Sequence, residues 1–241
     1  MNISERLNTI IHMVKPCGLL ADIGCDHGYV CIRTVENGQA KAAIASDVAE
    51  GPLKIAGENI AQAGLKAKIC TVLADGLSGI PEDARPDCIV MTGIGGLLMK
   101  RILSALKPSD GEAADPRFAD ISQMVLGPQS DIDAVRHFLV DDLGVLIERE
   151  VTVFDDGKYY TLLDVKNGGN PEAYSESEYM YGKHIDPETL DVYKAFLAQQ
   201  KQILRDAYHG ALKGCSFGAA QAISDIKHKI ALVDEAAEKF A

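Results

Sequence analysis

The chain has 241 residues, 47% of them hydrophobic and 24% charged, and its 35 Asp and Glu against 24 Lys and Arg leave a net charge of −11. That length suits one α/β domain with a smaller appendage, and the composition excludes disorder. The acidic balance excludes a surface that attracts nucleic acid everywhere, because phosphate contacts are made by Lys and Arg, and it leaves room for a local basic patch.

The six cysteines (Cys17, Cys25, Cys31, Cys70, Cys88, Cys215) form no C-x-x-C pair, and five sit in or beside apolar stretches. Reduced thiols in a cytoplasmic protein are expected. No charged-then-apolar leader precedes the first element, and no apolar run approaches the roughly 18 residues that span a bilayer.

A short amphipathic helix begins near Ser4. Apolar runs then alternate with helical patterns: Gly18 to Ile23, Ala42 to Ser46, Ala67 to Leu73, Asp87 to Thr92 and Gln123 to Leu126. Each is about 4–8 residues long and is followed by Gly, Asp or Pro, which predicts strands buried on both faces of a parallel sheet. Between them, Glu50 to Ala63 carries Leu53, Ala56, Ile60 and Ala63 on one face and stops at Gly64, while Leu97 to Leu106 stops before Lys107-Pro108. Strand and helix in alternation predict a doubly wound, Rossmann-like α/β fold. Leu143 to Phe154 and Lys158 to Val165 are β-rich and joined by Asp155-Asp156-Gly157. They should complete a seven-stranded sheet with an antiparallel pair.

Val165 to Pro171 reads as a linker, and no strand signal follows it. Leu190, Tyr193, Leu197, Gln200, Leu204 and Ala207 recur at three- and four-residue spacing, as do Ile223, Ile226, Ile230, Val233, Ala237 and Phe240. With Gly210 and Gly214 between them, these seams predict an antiparallel, coiled-coil-like helical hairpin. The chain then divides into a catalytic domain over 1–166 and a hairpin domain over 172–241. The other reading is two amphipathic helices packed on the main domain. From Pro171 onward eight basic residues stand against eleven acidic ones, which does not favour a broad phosphate-binding face.

The first strand ends in Asp22-Ile23-Gly24-Cys25-Asp26-His27-Gly28, at the end of an α/β strand where ligands bind. A dinucleotide fingerprint, G-x-G-x-x-G, fails here, because Asp26 and Tyr29 stand where its second and third glycines belong. A carboxylate in that loop repels phosphates and attracts the ammonium and sulfonium of S-adenosylmethionine. Asp47 ends the second strand, placed to accept hydrogen bonds from ribose hydroxyls, and Asp75-Gly76 ends the third, where the acid can accept from an adenine amine. Each aspartate alone also reads as a helix cap or loop residue. Three in register after three strands resemble the class I methyltransferases.

The resemblance narrows at the fourth strand, where Thr92-Gly93-Ile94-Gly95-Gly96 is similar to the G-M-G-G segment of the bacterial tRNA (adenine-N1)-methyltransferases that modify nucleotide 22, the TrmK family. Ala21-Asp22-Ile23-Gly24-Cys25-Asp26-His27-Gly28-Tyr29 resembles that family's A-D-I-G-[ST]-D-H-[AG]-Y, Gly157-Lys158-Tyr159-Tyr160 its G-K-x-Y, and Leu126-Gly127-Pro128-Gln129 its L-Q-P-N. Gly127, Gln129 and Ile94 depart from the pattern. The likeness covers nearly the whole chain and implies methyl transfer to tRNA; no metal is expected, and the oligomeric state stays open between monomer and homodimer.

The chemistry agrees with the residues. Enzymes that methylate the exocyclic amine of adenine carry an Asn/Asp-Pro-Pro-aromatic run after strand four, and Gly93-Ile94-Gly95-Gly96 has no such side chain. No Pro-Cys stands in that loop for a thiol nucleophile either. Adenine N1 is nucleophilic when neutral, so its methylation needs in-line positioning more than a base. Candidate catalytic residues are Asp26, which can stabilise the developing cation, His27, Gly93 and Gly95. Asp22, Gly24, Asp26, His27, Gly28, Asp47, Val48, Asp75, Gly76 and Gly93 are the candidate cofactor contacts. Ile94, Gly95, Gly96, Pro128, Gln129, Lys158 and Tyr160 are those for substrate, with Arg6, Lys15, Lys100, Arg101, Arg149 and Lys158 as candidate phosphate contacts near the strand ends. His12, His137, His184, His209 and His228 read as surface or packing residues. Two other functions stay open: a small-molecule methyltransferase with the same cofactor site, and a partner-binding module with a vestigial pocket.

Overall fold

The computed structural model describes residues 3–107, 115–213 and 219–240. Seven strands form one sheet: β1 (Cys17–Ile23), β2 (Ala40–Asp47), β3 (Ile69–Leu73), β4 (Cys88–Thr92), β5 (Gln123–Gly127), β6 (Leu146–Asp155) and β7 (Lys158–Lys166), in spatial order β3-β2-β1-β4-β5-β7-β6. The first five are parallel, and β7 is antiparallel to both β5 and β6. Strand order reverses between β1 and β4, which opens a crevice at their carboxyl ends.

Helix α1 (Glu5–Met13) starts where the Ser4 hydroxyl accepts the Leu7 N–H. It packs with α2 (Tyr29–Glu36) and α3 (Glu50–Gln62) on one face of the sheet, around Ile10, Leu20, Val30, Ile60 and Val90. Helices α4 (Gly96–Leu103) and α5 (Ile132–His137) cover the other face around Ile89, Met91, Met99, Leu103 and Met124. Consecutive residues Ile89 and Val90 thus feed opposite cores, the consequence of a two-residue strand period. Each such fully buried aliphatic side chain contributes about 1.5–3 kcal/mol.

Strand β3 departs from expectation: Cys70, Thr71 and Leu73 are exposed, because it is an edge strand. The β6–β7 turn follows the sequence reading, with Asp156 at φ 47° and Gly157 at φ 76°, the two positive angles of a hairpin turn whose twist matches its strands. Cys25, Cys31 and Cys88 are buried, Cys17 is half-buried and Cys70 exposed, all as free thiols; Cys215 lies outside the described residues.

Helices α7 (Leu190–Lys213) and α8 (Ala219–Lys239) pack against each other through Tyr193, Leu197, Leu232, Val233 and Ala236. The expected seam holds at Leu190, Tyr193, Leu197, Leu204, Val233 and Phe240, whereas Ala207 and Ala237 are exposed and Leu232 and Ala236 are buried beside it. Gly210 lies inside α7, and Gly214 falls outside the described residues. A helix that the sequence reading lacks, α6 (Glu176–Tyr181), begins with a Ser175–Glu178 capping box and packs on both α5 and α8.

Candidate active site

The crevice between β1 and β4 holds a cavity of about 450 Å³. Its first wall is the loop after β1. Gly24 and Cys25 both donate to the Ser46 carbonyl, at 2.8 and 3.0 Å, which ties the loop to the end of β2. Gly28 closes the turn by donating to Cys25 at 2.8 Å and caps α2 at φ 73°. A Cβ there would stand 3.2 Å from that of Ala56, so glycine serves both the left-handed backbone and the close passage of α3.

Three carboxylates gather at this wall. Asp47 accepts the backbone N–H of Asp26 at 3.1 Å and that of Ala49 at 2.9 Å, so it shapes two loops at once. Asp26 sits at φ 50° with its side chain largely exposed, and Asp22 is 3% exposed. Burial pushes the Asp22 carboxyl up to about 7; the Cys31 thiol, 3.8 Å away, offsets part of that, and the Asp47 and Asp26 charges add to it. A cation placed in the cavity would relieve this cluster. His27 stands edge-on to Tyr29, with Nδ1 3.5 Å from Asp26 and without a hydrogen bond.

The far rim is set by Asp75. Arg101 grips its carboxylate with both nitrogens, at 2.9 and 3.0 Å, and holds its pKa below the usual carboxylate range. Asp75 therefore does not present a bare acid, as the sequence suggested, but it keeps acceptor lone pairs beyond those two bonds. Gly76 and exposed Val48 line the cavity beside it.

The floor comes from the loops after β4 and β5. Gly93 donates to the Gly127 carbonyl at 3.1 Å and Gln129 to that of Ile94 at 2.9 Å, which zips the two loops together. Thr92, Gly93, Ile94 and Gln129 line the cavity, whereas Pro128 is buried behind them. Gly95 caps α4, and Gly96 packs directly on the backbone of Ser130 and Asp131, so neither is part of the lining.

Of the remaining candidates, Arg6 enters the cavity lining, and Tyr160 and Lys158 stand at the same end of the sheet, outside that lining. Lys15 and Arg149 do not converge there. Lys15 precedes β1 and pairs with Glu148 at 2.7 Å, and Arg149 sits low on β6 facing Asp186 at 3.2 Å and Asp164 at 3.6 Å. Both belong to the amino end of the parallel strands. Arg101 is taken by Asp75, and Lys100 lies over the Phe138 ring at 5.7 Å. Tyr29 and Thr92, from the motifs after β1 and at the end of β4, also line the cavity, and so do Ser4, Leu7, Leu98 and Ile102, which carry no local sequence signal because it is the docking of α1 and α4 that brings them in. Among the described residues no group of three or more His, Cys, Asp or Glu could hold a metal ion, and no helix is long and apolar enough to cross a membrane.

A doubly wound seven-stranded sheet with acids after its first three strands and a glycine floor after the fourth defines a class I methyltransferase. A family model described as a methyltransferase domain matches residues 3–163. A Streptococcus pneumoniae protein, described as a candidate tRNA (m1A22) methyltransferase and solved with S-adenosyl-L-methionine, is 30% identical, with 98% of this chain and 100% of that chain covered and a TM-score of 0.82. The tRNA (adenine(22)-N(1))-methyltransferase of Bacillus subtilis is 29% identical over 201 residues, 83% of this chain and 77% of that relative. The M. capricolum TrmK structure with S-adenosyl-homocysteine shares the fold at 22% identity, with 99% of both chains covered and a TM-score of 0.82. The chain belongs to the tRNA (adenine(22)-N1)-methyltransferase family.

Proposed function

We propose that this protein transfers a methyl group from S-adenosylmethionine to N1 of the adenine at position 22 of tRNA, in the cytoplasm. The observation that carries this reading is the division of the cavity: Asp22, Asp26, Asp47 and Asp75 line one side, and the Gly93–Ile94 backbone forms the floor opposite. The cofactor supplies an electrophilic methyl group on a sulfonium. Asp22 and Asp26 attract its positive charges, Asp47 accepts from the ribose, and Asp75, oriented by Arg101, accepts from the adenine amine.

The target base needs no proton removed, so the site's task is placement. Gly93 and Ile94 admit a flat base edge where a larger side chain would stand, and Gln129 borders that space. Asp26, whose side chain is largely exposed, stabilises the cationic product. His27 orients Asp26 rather than serving as a base. Ile94 and Gln129 contact the base, Gly95, Gly96 and Pro128 hold that floor in place, and Lys158 and Tyr160 extend the contact along the RNA. Residues 172–241 act as a second, helical domain; their own cluster around Tyr193, Leu197 and Val233 supports this division.

The test is nucleoside mass spectrometry of unmodified tRNA incubated with protein and cofactor. 1-Methyladenosine should form when nucleotide 22 is adenine and vanish when it is guanine. Methylation that persists after that change, or that appears only on small molecules, refutes the reading.

A further inference from the structure

Arg6 is the one Lys or Arg among the described residues lining a cavity that also carries four carboxylates. Two contacts fix it. Its backbone N–H donates to Asp155 at 3.2 Å, and its guanidinium lies over the Tyr160 ring, 4.9 Å from the centroid. Among the described residues, its side chain enters no ion pair within 4.0 Å. An aromatic face holds a guanidinium in a defined plane without neutralising it, so the N–H fork stays free for a ligand.

The direction of that fork is legible at Gly93. A Cβ built on Gly93 would stand 3.9 Å from Arg6 Nη1 and 4.0 Å from Gln129 Nε2, so two donor groups face the same side of the floor. In a cleft otherwise crowded with acids, a planar donor fork paired with an amide is complementary to an oxyanion.

We infer that Arg6 is the oxyanion-binding residue of this site, oriented by Tyr160 and assisted by Gln129. Both ligands of the proposed reaction, on which this inference rests, carry that chemistry: the cofactor as the carboxylate of its amino-acid part, and the RNA as the phosphate beside the target nucleotide. Arg6 thus completes a charge pattern in which acids receive the cations of the ligands and one arginine receives an anion.

The experiment compares wild type with Arg6→Gln, Arg6→Lys and Tyr160→Leu in two arms, after thermal melts have shown that each variant is folded. The first arm is calorimetry with S-adenosylhomocysteine, which keeps the carboxylate and needs no RNA. The second is tRNA binding across a salt series. A carboxylate partner predicts an Arg6→Gln loss of about tenfold or more in the first arm and an unchanged salt slope in the second. A phosphate partner predicts unchanged calorimetry and a salt slope shallower by about one. In either case Arg6→Lys recovers part of the loss, and Tyr160→Leu shows a smaller version of it. If Arg6→Gln moves neither arm, the inference is overturned. Failure of tRNA methylation by the wild type would count against the proposed reaction and leave the first arm readable.

Discussion

Arg136 and Glu150 form an enclosed ion pair, Nη2 to Oε2 at 2.7 Å, with 2% and 1% of their side chains exposed. The remaining valences are satisfied too: Arg136 Nη1 donates to the carbonyls of Tyr179 and Met180, and Glu150 Oε1 accepts the Lys183 N–H at 2.8 Å. A single pair therefore joins α5, β6 and the segment around α6. Removing one partner leaves a buried charge, so Arg136→Met should cost about 3–5 kcal/mol in urea denaturation, and Arg136→Met with Glu150→Leu far less. Equal losses in the single and double variants would show that the cost is packing rather than charge.

Asp22 should make cofactor affinity pH-dependent. Its carboxyl, pushed up to about 7, is protonated below that pH and ionised above it, so affinity for cationic S-adenosylmethionine should rise up to about pH 7 and then level off. Binding near pH 6.5 should release a proton, visible by calorimetry in buffers of different ionisation enthalpy. For folding the sign is opposite. Between the ordinary carboxylate value and about 7 the native state holds the extra proton, so this group's contribution to stability falls as pH rises through that window. A flat affinity profile for the wild type, or one unchanged in Asp22→Asn, would remove Asp22 from the linkage.

Asp47→Ala should weaken the cofactor by about 1–3 kcal/mol through loss of the ribose acceptor. The same carboxylate holds the N–H groups of Asp26 and Ala49, so Asp47→Asn, which keeps one acceptor oxygen, should lie between. Calorimetry with S-adenosylhomocysteine measures both; wild-type affinity in Asp47→Ala excludes the contact.

Gly96→Ala tests the joint between the β4 and β5 loops. The added Cβ would fall 2.7 Å from the Asp131 carbonyl oxygen and 3.0 Å from Val135 Cγ2, and such overpacking costs about 1–3 kcal/mol. A lowered denaturation midpoint with slower methyl transfer is expected. A midpoint within error of wild type would show that the joint is loose.

The seven strands with their closing antiparallel pair, the strand-end acids and the glycine floor were all legible in the sequence, because each rests on local signals: apolar runs, a hairpin turn, and acids and glycines at fixed offsets after strands. What escaped was decided by tertiary contact. Nothing local marks Asp75 as the partner of Arg101, 26 positions away, or sends Arg149 to the amino end of the sheet. Helix α6 escaped because its six residues are too few for a periodic pattern. Spacing placed most of the seam of α7 and α8, and it missed Leu232 and Ala236, which are buried in the same cluster as Tyr181 of α6.

Helix α1 supplies Ser4, Arg6 and Leu7 to the cavity wall within its first turn. An affinity tag or fusion partner attached ahead of residue 4 therefore emerges beside the ligands rather than at a remote surface, where it can crowd the entrance and mimic a defect in turnover.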